Sequence, residues 1–87
     1  MTIKLEISLP DRVYATANAD KVVLPVKEGN LTVILGRAPR SQLLTEGIIA
    51  LLDVQNKTLQ SWRIGGGIAE IANDVCKVAV EQIEQIL

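Results

Sequence analysis

Apolar and polar residues alternate with a period of two along most of the chain. The first segment, IKLEISL at residues 3–9, places aliphatic side chains on one face and mostly polar ones on the other. This alternation predicts a β-strand with one face in the core and one in water. Pro10 ends the strand, because proline has no N–H to donate to a ladder. The same pattern predicts strands over residues 13–19, 22–26, 31–35, 59–64, 68–72 and 75–80.

Short polar segments separate these predicted strands. Lys27-Glu28-Gly29-Asn30 is typical of a hairpin turn, as are Asn56-Lys57 and Asn73-Asp74. Gly36-Arg37-Ala38-Pro39 interrupts the alternation and predicts a loop. About eight to ten short strands at regular spacing, with turn residues between them, are the signature of a small sandwich or barrel. We therefore predict an all-β fold, a small β-sandwich over residues 1–80, followed by a short tail at residues 81–87.

The end of the chain is compatible with two structures. Cys76, Val78 and Val80 alternate as in a strand, whereas the apolar residues from Val75 to Ile86 also share one face of a helix that Asn73 or Asp74 could cap. We favour a strand to about Val80, followed by a turn or two of helix.

Three consecutive glycines, Gly65 to Gly67, raise the question of a phosphate-binding loop. Such loops lead from a strand into a helix, whose free N–H groups face the anion. Strand patterns lie on both sides of these glycines, and neither common glycine-rich nucleotide motif is matched. We predict that the glycines kink or link two strands where another backbone passes close.

Composition argues against chemistry carried out by this chain. Nine basic and ten acidic residues nearly balance, which disfavours a nucleic-acid partner. The chain has no histidine, and its single cysteine, Cys76, lies in an apolar run and is expected to be a buried hydrophobe. No carboxylates have the spacing of a catalytic pair, although Glu70 is expected to be partly buried beside Arg63 or Arg37. We predict no catalytic, cofactor or metal site and no small-molecule substrate.

The distribution of apolar residues indicates a soluble intracellular protein with one unusual strand. No signal peptide or membrane-spanning run is present in the sequence. Residues 48–52, IIALL, are apolar on both faces of their predicted strand. A sandwich buries only one face, so the surplus is covered either by a partner protein or by the C-terminal segment of the same chain.

The ordered set of motifs resembles the epsilon subunit of the F-type ATP synthase. Leu24-Pro25 precedes the hairpin segment EGNLTVIL at residues 28–35, and Arg37-Ala38-Pro39, Gly47 and the segment IGGGIAEI at residues 64–71 follow in order. The order and spacings match over about residues 3 to 80. The resemblance implies a ten-stranded β-sandwich and a non-catalytic rotor subunit of the central stalk that binds gamma and the c ring and couples ion transport to ATP synthesis.

The resemblance also implies which residues face the c ring, and the strand that is apolar on both faces suggests which residues face gamma. Two segments would face the c ring: Lys27, Glu28, Gly29 and Asn30, and beside them Arg37, Ala38, Pro39 and Arg40. We hypothesise that the surface facing gamma consists of Ile48, Ile49 and Leu51. The protein would be peripheral, on the cytoplasmic face of the inner (plasma) membrane, without inserting into it.

This chain departs from the family pattern in its loop and in its length. Arg37 stands where the family usually has histidine and Arg40 where it usually has leucine, so the ring-facing loop gains positive charge. Residues 81–87 are too few for the C-terminal helical hairpin of many relatives. If the chain is complete, this implies the short form of the subunit; if the chain is a truncated piece, that expectation fails. Two other functions remain open from the residues alone. A free-standing ligand-binding or interaction sandwich would need aromatic platforms, for which only Tyr14 and Trp62 are available, and an enzyme would lack histidine.

Overall fold

Within residues 2–87, which the computed structural model describes, the chain forms eight β-strands and no helix. The strands are β1 (Ile3–Leu9), β2 (Arg12–Ala19), β3 (Lys21–Val26), β4 (Gly29–Val33), β5 (Arg40–Leu52), β6 (Thr58–Ala72), β7 (Val75–Val80) and β8 (Ile83–Gln85). They form one continuous sheet in the order β2-β1-β7-β6-β5-β3-β4, with β8 on the edge of β6. All neighbours pair antiparallel except β1 and β7, which are parallel.

The long hairpin of β5 and β6 runs through two layers. The two strands pair from Arg40 opposite Ile71 to Leu52 opposite Thr58. The C-terminal half of β6 continues through β7 into β1 and β2, which we call the first layer. The opposite half of the hairpin continues through β3 into β4 on one side and meets β8 on the other, which we call the second layer. The predicted all-β sandwich is thus confirmed.

The sheet bends where β6 carries its glycines. Gly66 has a φ of 112°, a conformation that side-chain-bearing residues rarely adopt. A Cβ on Gly67 would overlap the backbone oxygen of Ala79 in β7. Regular pairing of β5 with β6 is interrupted opposite Gly66 and resumes on both sides of it. The glycines therefore bend one continuous strand under a closely packed neighbour, and this is one reason that the structure has eight strands where ten were expected.

The inward faces of both layers enclose a core that is aliphatic apart from Trp62 and Cys76. The buried residues include Ile3, Leu5, Ile7, Val22, Leu24, Ile49, Leu51, Trp62, Ile64, Ile71, Cys76 and Val78. They occupy alternate positions along their strands, which is why the period-two pattern located most of the strands. The small residues of β2 lie against this core, with Ala15 and Ala17 packed at its margin.

The prediction of helix after Val80 is wrong. Residues Ile83–Gln85 instead form β8, which pairs with β6 from Ile64 to Trp62. Ile86 and Leu87 extend the ladder, because each donates its N–H to the carbonyl of Ser61 and Leu87 accepts from the Ser61 N–H. An isolated helix this short is unstable in water, whereas the edge of β6 offers backbone groups that need partners. The C-terminal segment lies beside β6, so it does not cover β5.

Candidate functional site: the exposed loop and sheet surfaces

The loop between β4 and β5, residues 34–39, is held at two points. Gly36 donates its backbone N–H to Oδ1 of Asp74 at 2.8 Å. Arg37 reaches back to β4 and donates from Nη2 to the carbonyl of Thr32 at 3.4 Å. The predicted ring-facing residues Arg37, Ala38, Pro39 and Arg40 are all exposed on this loop and at the start of β5.

A groove of about 310 Å³ lies between this loop and β4. Leu31, Val33 and Ile71 contribute apolar lining, and Arg37 and Arg40 are the two charged residues of its wall. Arg40 donates from Nη2 to the side-chain oxygen of Gln42 at 2.6 Å. A guanidinium has five N–H donors, so each arginine retains donors for a further acceptor. The arrangement suits a partner that offers carboxylate or carbonyl oxygens.

The second predicted ring-facing segment forms the tip of the β3–β4 hairpin. Lys27 and Glu28 are the turn, Gly29 and Asn30 begin β4, and all four are exposed. Gly29 has a φ of 129°, which glycine tolerates readily. Loop 34–39 leaves the opposite end of β4, a strand of five residues, so the two predicted ring-facing segments lie at opposite ends of this strand. The Arg37 side chain extends back along β4 as far as the carbonyl of Thr32.

The residues predicted to face gamma do not share one surface. Ile49 and Leu51 are fully buried in the chain's own core, where Ile49 lies opposite Trp62. Ile48 is 43% exposed and points to the outside of the second layer. The run of apolar residues hid the alternation, so the sequence could not tell the two faces apart. Only Ile48 of the three remains available for contact.

A larger apolar surface lies on the outside of the first layer, and sequence reasoning missed it. Leu43 is 71% exposed and Ile68 is 50% exposed, and the two are cross-strand partners. The register continues from Ile68 to Ala79, then to Ser8, and then to the exposed Val13 of β2. We call Leu43, Ile68, Ala79 and Val13 the apolar row. The Leu43-Leu44 pair was a usable signal, since adjacent strand residues face opposite sides.

A groove of about 660 Å³ adjoins the apolar row at the bend of the sheet. Its lining includes Leu9, Pro10, Leu44 and the three glycines in addition to Leu43 and Ile68. Exposed apolar surface beside a concave groove is typical of a site that contacts another protein. The polar row next to it carries Glu70, which is exposed and lies opposite Lys77. The expectation that Glu70 is partly buried is therefore wrong.

The single cysteine, Cys76, is shielded from solvent. Its thiol is fully buried, and burial raises its pKa from 9.0 to about 11. Residues 2–87 contain no cluster of three or more potential metal ligands among His, Cys, Asp and Glu. The same part of the chain has no helix with the length and hydrophobicity needed to cross a bilayer.

The fold and its exposed surfaces define a small all-β domain suited to contact with other proteins. Residues 2–86 match the family of the ATP synthase delta/epsilon chain, β-sandwich domain. The chain belongs to this family. The resemblance found in the sequence motifs is thereby confirmed.

Individual relatives agree with the family assignment. The ATP synthase epsilon chain of Granulibacter bethesdensis is 35% identical over 94% of this chain and 60% of its own length. The chain spans about three fifths of the length of the curated relatives it matches. A chain in the Euglena gracilis mitochondrial ATP synthase superposes with a TM-score of 0.79 at 22% identity, covering 97% of this chain and 53% of that one. A chain in the central stalk and c-ring of the Tetrahymena thermophila mitochondrial ATP synthase superposes with a TM-score of 0.72 at 16% identity, covering 97% of this chain and 66% of that one. These two likenesses support the fold.

Proposed function

We propose that this chain is the β-sandwich of an epsilon-type subunit in the central stalk of an F-type ATP synthase. The observation that carries the proposal is the family match, which extends over residues 2–86 and so includes every strand. The proposed role is mechanical: the domain binds gamma and the c ring and helps to couple ion transport to ATP synthesis. The proposal assigns no chemical step to the chain and places it peripherally, on the cytoplasmic face of the inner (plasma) membrane.

Loop 34–39 and the β3–β4 hairpin tip are the proposed contacts with the c ring. Arg37 and Arg40 are exposed at the groove between the loop and β4, which favours acidic or carbonyl acceptors from the partner. Exposed ion pairs contribute little individually, so the two arginines are expected to act together. Lys27, Glu28, Gly29 and Asn30 would add polar contacts at the hairpin tip.

The apolar row is the proposed main contact with gamma. A standard interface buries about 800 Å² on each partner, and the exposed Leu43 and Ile68 provide large side chains that gain from burial. Ile48 lies on the other layer and is less exposed. We therefore assign Ile48 to the edge of the gamma contact or to a separate contact.

Binding of the 87-residue chain to purified c ring tests the first contact. The double variant Arg37→Ala/Arg40→Ala is expected to weaken binding about tenfold, since charge-assisted hydrogen bonds contribute about 1.5–3 kcal/mol each before solvent screening. Lys57→Ala, which removes one exposed cation from the β5–β6 connection, is the control for loss of positive charge away from the loop. Unchanged affinity of the double variant would refute the role of these arginines, and no binding by the wild-type chain would refute the proposed function.

Binding to purified gamma tests the second contact with two matched variants. Ile68→Lys and Ile48→Lys make the same change on exposed positions of β6 and β5, one in each layer. We expect Ile68→Lys to abolish measurable binding and Ile48→Lys to weaken it by less than about tenfold, because charge in the centre of an interface costs more than charge at its rim. A larger loss of binding in Ile48→Lys than in Ile68→Lys would refute the assignment and indicate that gamma contacts the second layer.

A further inference from the structure

The turn between β6 and β7 carries an unusual residue. Asn73 and Asp74 form a two-residue turn in which both residues have positive φ, 54° and 60°. Glycine is the residue most favoured at the second position of such a turn. An aspartate there incurs a conformational cost that glycine would avoid. This raises the question of what the carboxylate contributes.

The Asp74 carboxylate joins two parts of the fold that are distant in the chain. Its Oδ1 accepts the Gly36 N–H at 2.8 Å, across 38 residues of sequence. The backbone of Asp74 is itself fixed, since its carbonyl accepts the Lys4 N–H of β1 at 3.1 Å. The turn of the first layer therefore holds the loop that leaves the second layer.

The loop needs such an anchor because it has little else to order it. Residues 34–39 belong to no strand, and Ile34 and Leu35 are both exposed hydrophobics. The second anchor, from Arg37 to the Thr32 carbonyl, is longer at 3.4 Å and uses a flexible side chain. Gly36, with a φ of 80°, is one residue before Arg37, so holding its N–H restricts the positions that the Arg37 backbone can take.

We propose that Asp74 is a positioning residue for this loop: its carboxylate holds the Gly36 N–H and so presents Arg37, next to Arg40 at the start of β5, to the acidic or carbonyl groups of the partner. The inference rests on the proposed function and deepens it, because it names a residue outside the contact surface that sets the affinity of that surface. Pre-ordering a loop raises affinity by removing an entropic cost of binding.

Three variants of the β6–β7 turn separate positioning from general stability. Asp74→Gly removes the acceptor and suits the positive φ. Asp74→Asn suits the same φ and keeps an Oδ1 that can accept the Gly36 N–H. Asn73→Gly makes the same backbone change at the neighbouring position, which is not part of the anchor. Fluorescence of the buried Trp62 during urea unfolding measures the overall stability of each.

Hydrogen exchange of the Gly36 amide in the 87-residue chain tests the anchor without any partner. We expect Asp74→Gly to accelerate it about tenfold, as loss of a charge-assisted hydrogen bond predicts, and Asp74→Asn to accelerate it by less than about threefold. Asn73→Gly is expected to leave it unchanged. Equal exchange in wild type and Asp74→Gly would overturn the inference.

Binding to purified c ring tests the consequence for the partner. We expect Asp74→Gly to weaken binding about fivefold, with Asp74→Asn and Asn73→Gly within about twofold of wild type. Wild-type binding that Asp74→Gly leaves unchanged would overturn the positioning role while leaving the proposed function intact. Failure of the wild-type chain to bind would overturn both, and the Gly36 exchange data would still report whether the anchor exists.

Discussion

Substituting Gly67 by alanine is expected to be the most damaging single-methyl change in the glycine segment. The added Cβ would overlap the backbone oxygen of Ala79 and lie 2.9 Å from Cγ1 of Val80. Neither obstacle is a flexible chain end, because Ala79 and Val80 are paired with β6 in the ladder. To admit the methyl group, β7 must move away from β6 at this point.

The magnitude follows from the two consequences of that movement. Overpacking against a fixed neighbour costs about 1–3 kcal/mol, and weakening one ladder hydrogen bond adds about 1 kcal/mol. We therefore expect Gly67→Ala to lower the free energy of unfolding by about 2–4 kcal/mol. For a domain of this size, each kcal/mol corresponds to a fall in Tm of about 4–8 °C.

Gly65→Ala is the matched control two residues away in the same strand. A Cβ there would approach the side-chain oxygen of Gln82 at 2.9 Å, but this is the end of a flexible side chain that can rotate away. Alanine also restricts the unfolded chain more than glycine does. We expect the control to lie within about 1 kcal/mol of wild type.

Urea unfolding followed by Trp62 fluorescence measures both variants, since this residue is 1% exposed in the folded protein. Similar unfolding free energies for Gly67→Ala and wild type would refute the steric argument. A loss in Gly65→Ala as large as in Gly67→Ala would also refute it, because strand conformation rather than close approach would then explain both.

Four further predictions concern positions in the core or next to it. Cys76 is expected to resist a thiol reagent at pH 8 until urea unfolds the chain, because burial raises its pKa from 9.0 to about 11; rapid labelling of folded protein would contradict this. Since the folded pKa is the higher one, the thiol's contribution to stability is complete below pH 9.0 and is lost as the pH rises towards 11. A Cys76→Ala variant should therefore lose less stability over that range. Gly47→Ala is expected to cost about 1–3 kcal/mol, because its Cβ would lie 2.6 Å from Cβ of the rigid Pro25 ring; an unchanged urea midpoint would argue against that contact. Ile49→Lys is expected to prevent folding while Ile48→Lys remains folded, as circular dichroism would show, and equal effects would contradict the assigned facing of β5.

The elements with clear alternation were predictable, and the departures have physical causes. In β1, every second residue from Ile3 to Ile7 is buried, so local pattern and tertiary environment coincide. β8 was missed because it forms by pairing with β6, which is distant in the chain. Residues 81–87 alone do not reveal that an edge of β6 is free to pair with them. The glycine segment was correctly assigned to a bend, since strand patterns flanked it on both sides.

The candidate surfaces were only partly predictable from the sequence. Loop 34–39 was marked by glycine and proline, and Arg37 within it and Arg40 directly after it are exposed, as expected of contact residues. The side of β5 that faces outward was not readable, because Ile48 and Ile49 are chemically alike and only register distinguishes them. The Asp74 anchor could not be predicted from the sequence either, since its hydrogen bond forms only because the β6–β7 turn and loop 34–39 lie close together in the folded chain.

The uninterrupted passage of β5 and β6 through both layers determines how the domain bears load. A pull that enters at the start of β5 crosses to the far layer along the covalent backbone of β5, which is hydrogen-bonded to β6, so it does not depend on side-chain packing between the layers. The strands run side by side along that path, and separating them lengthwise requires many hydrogen bonds to fail at once rather than one after another. In the proposed central-stalk role, this hairpin would carry force between the two layers through its backbone.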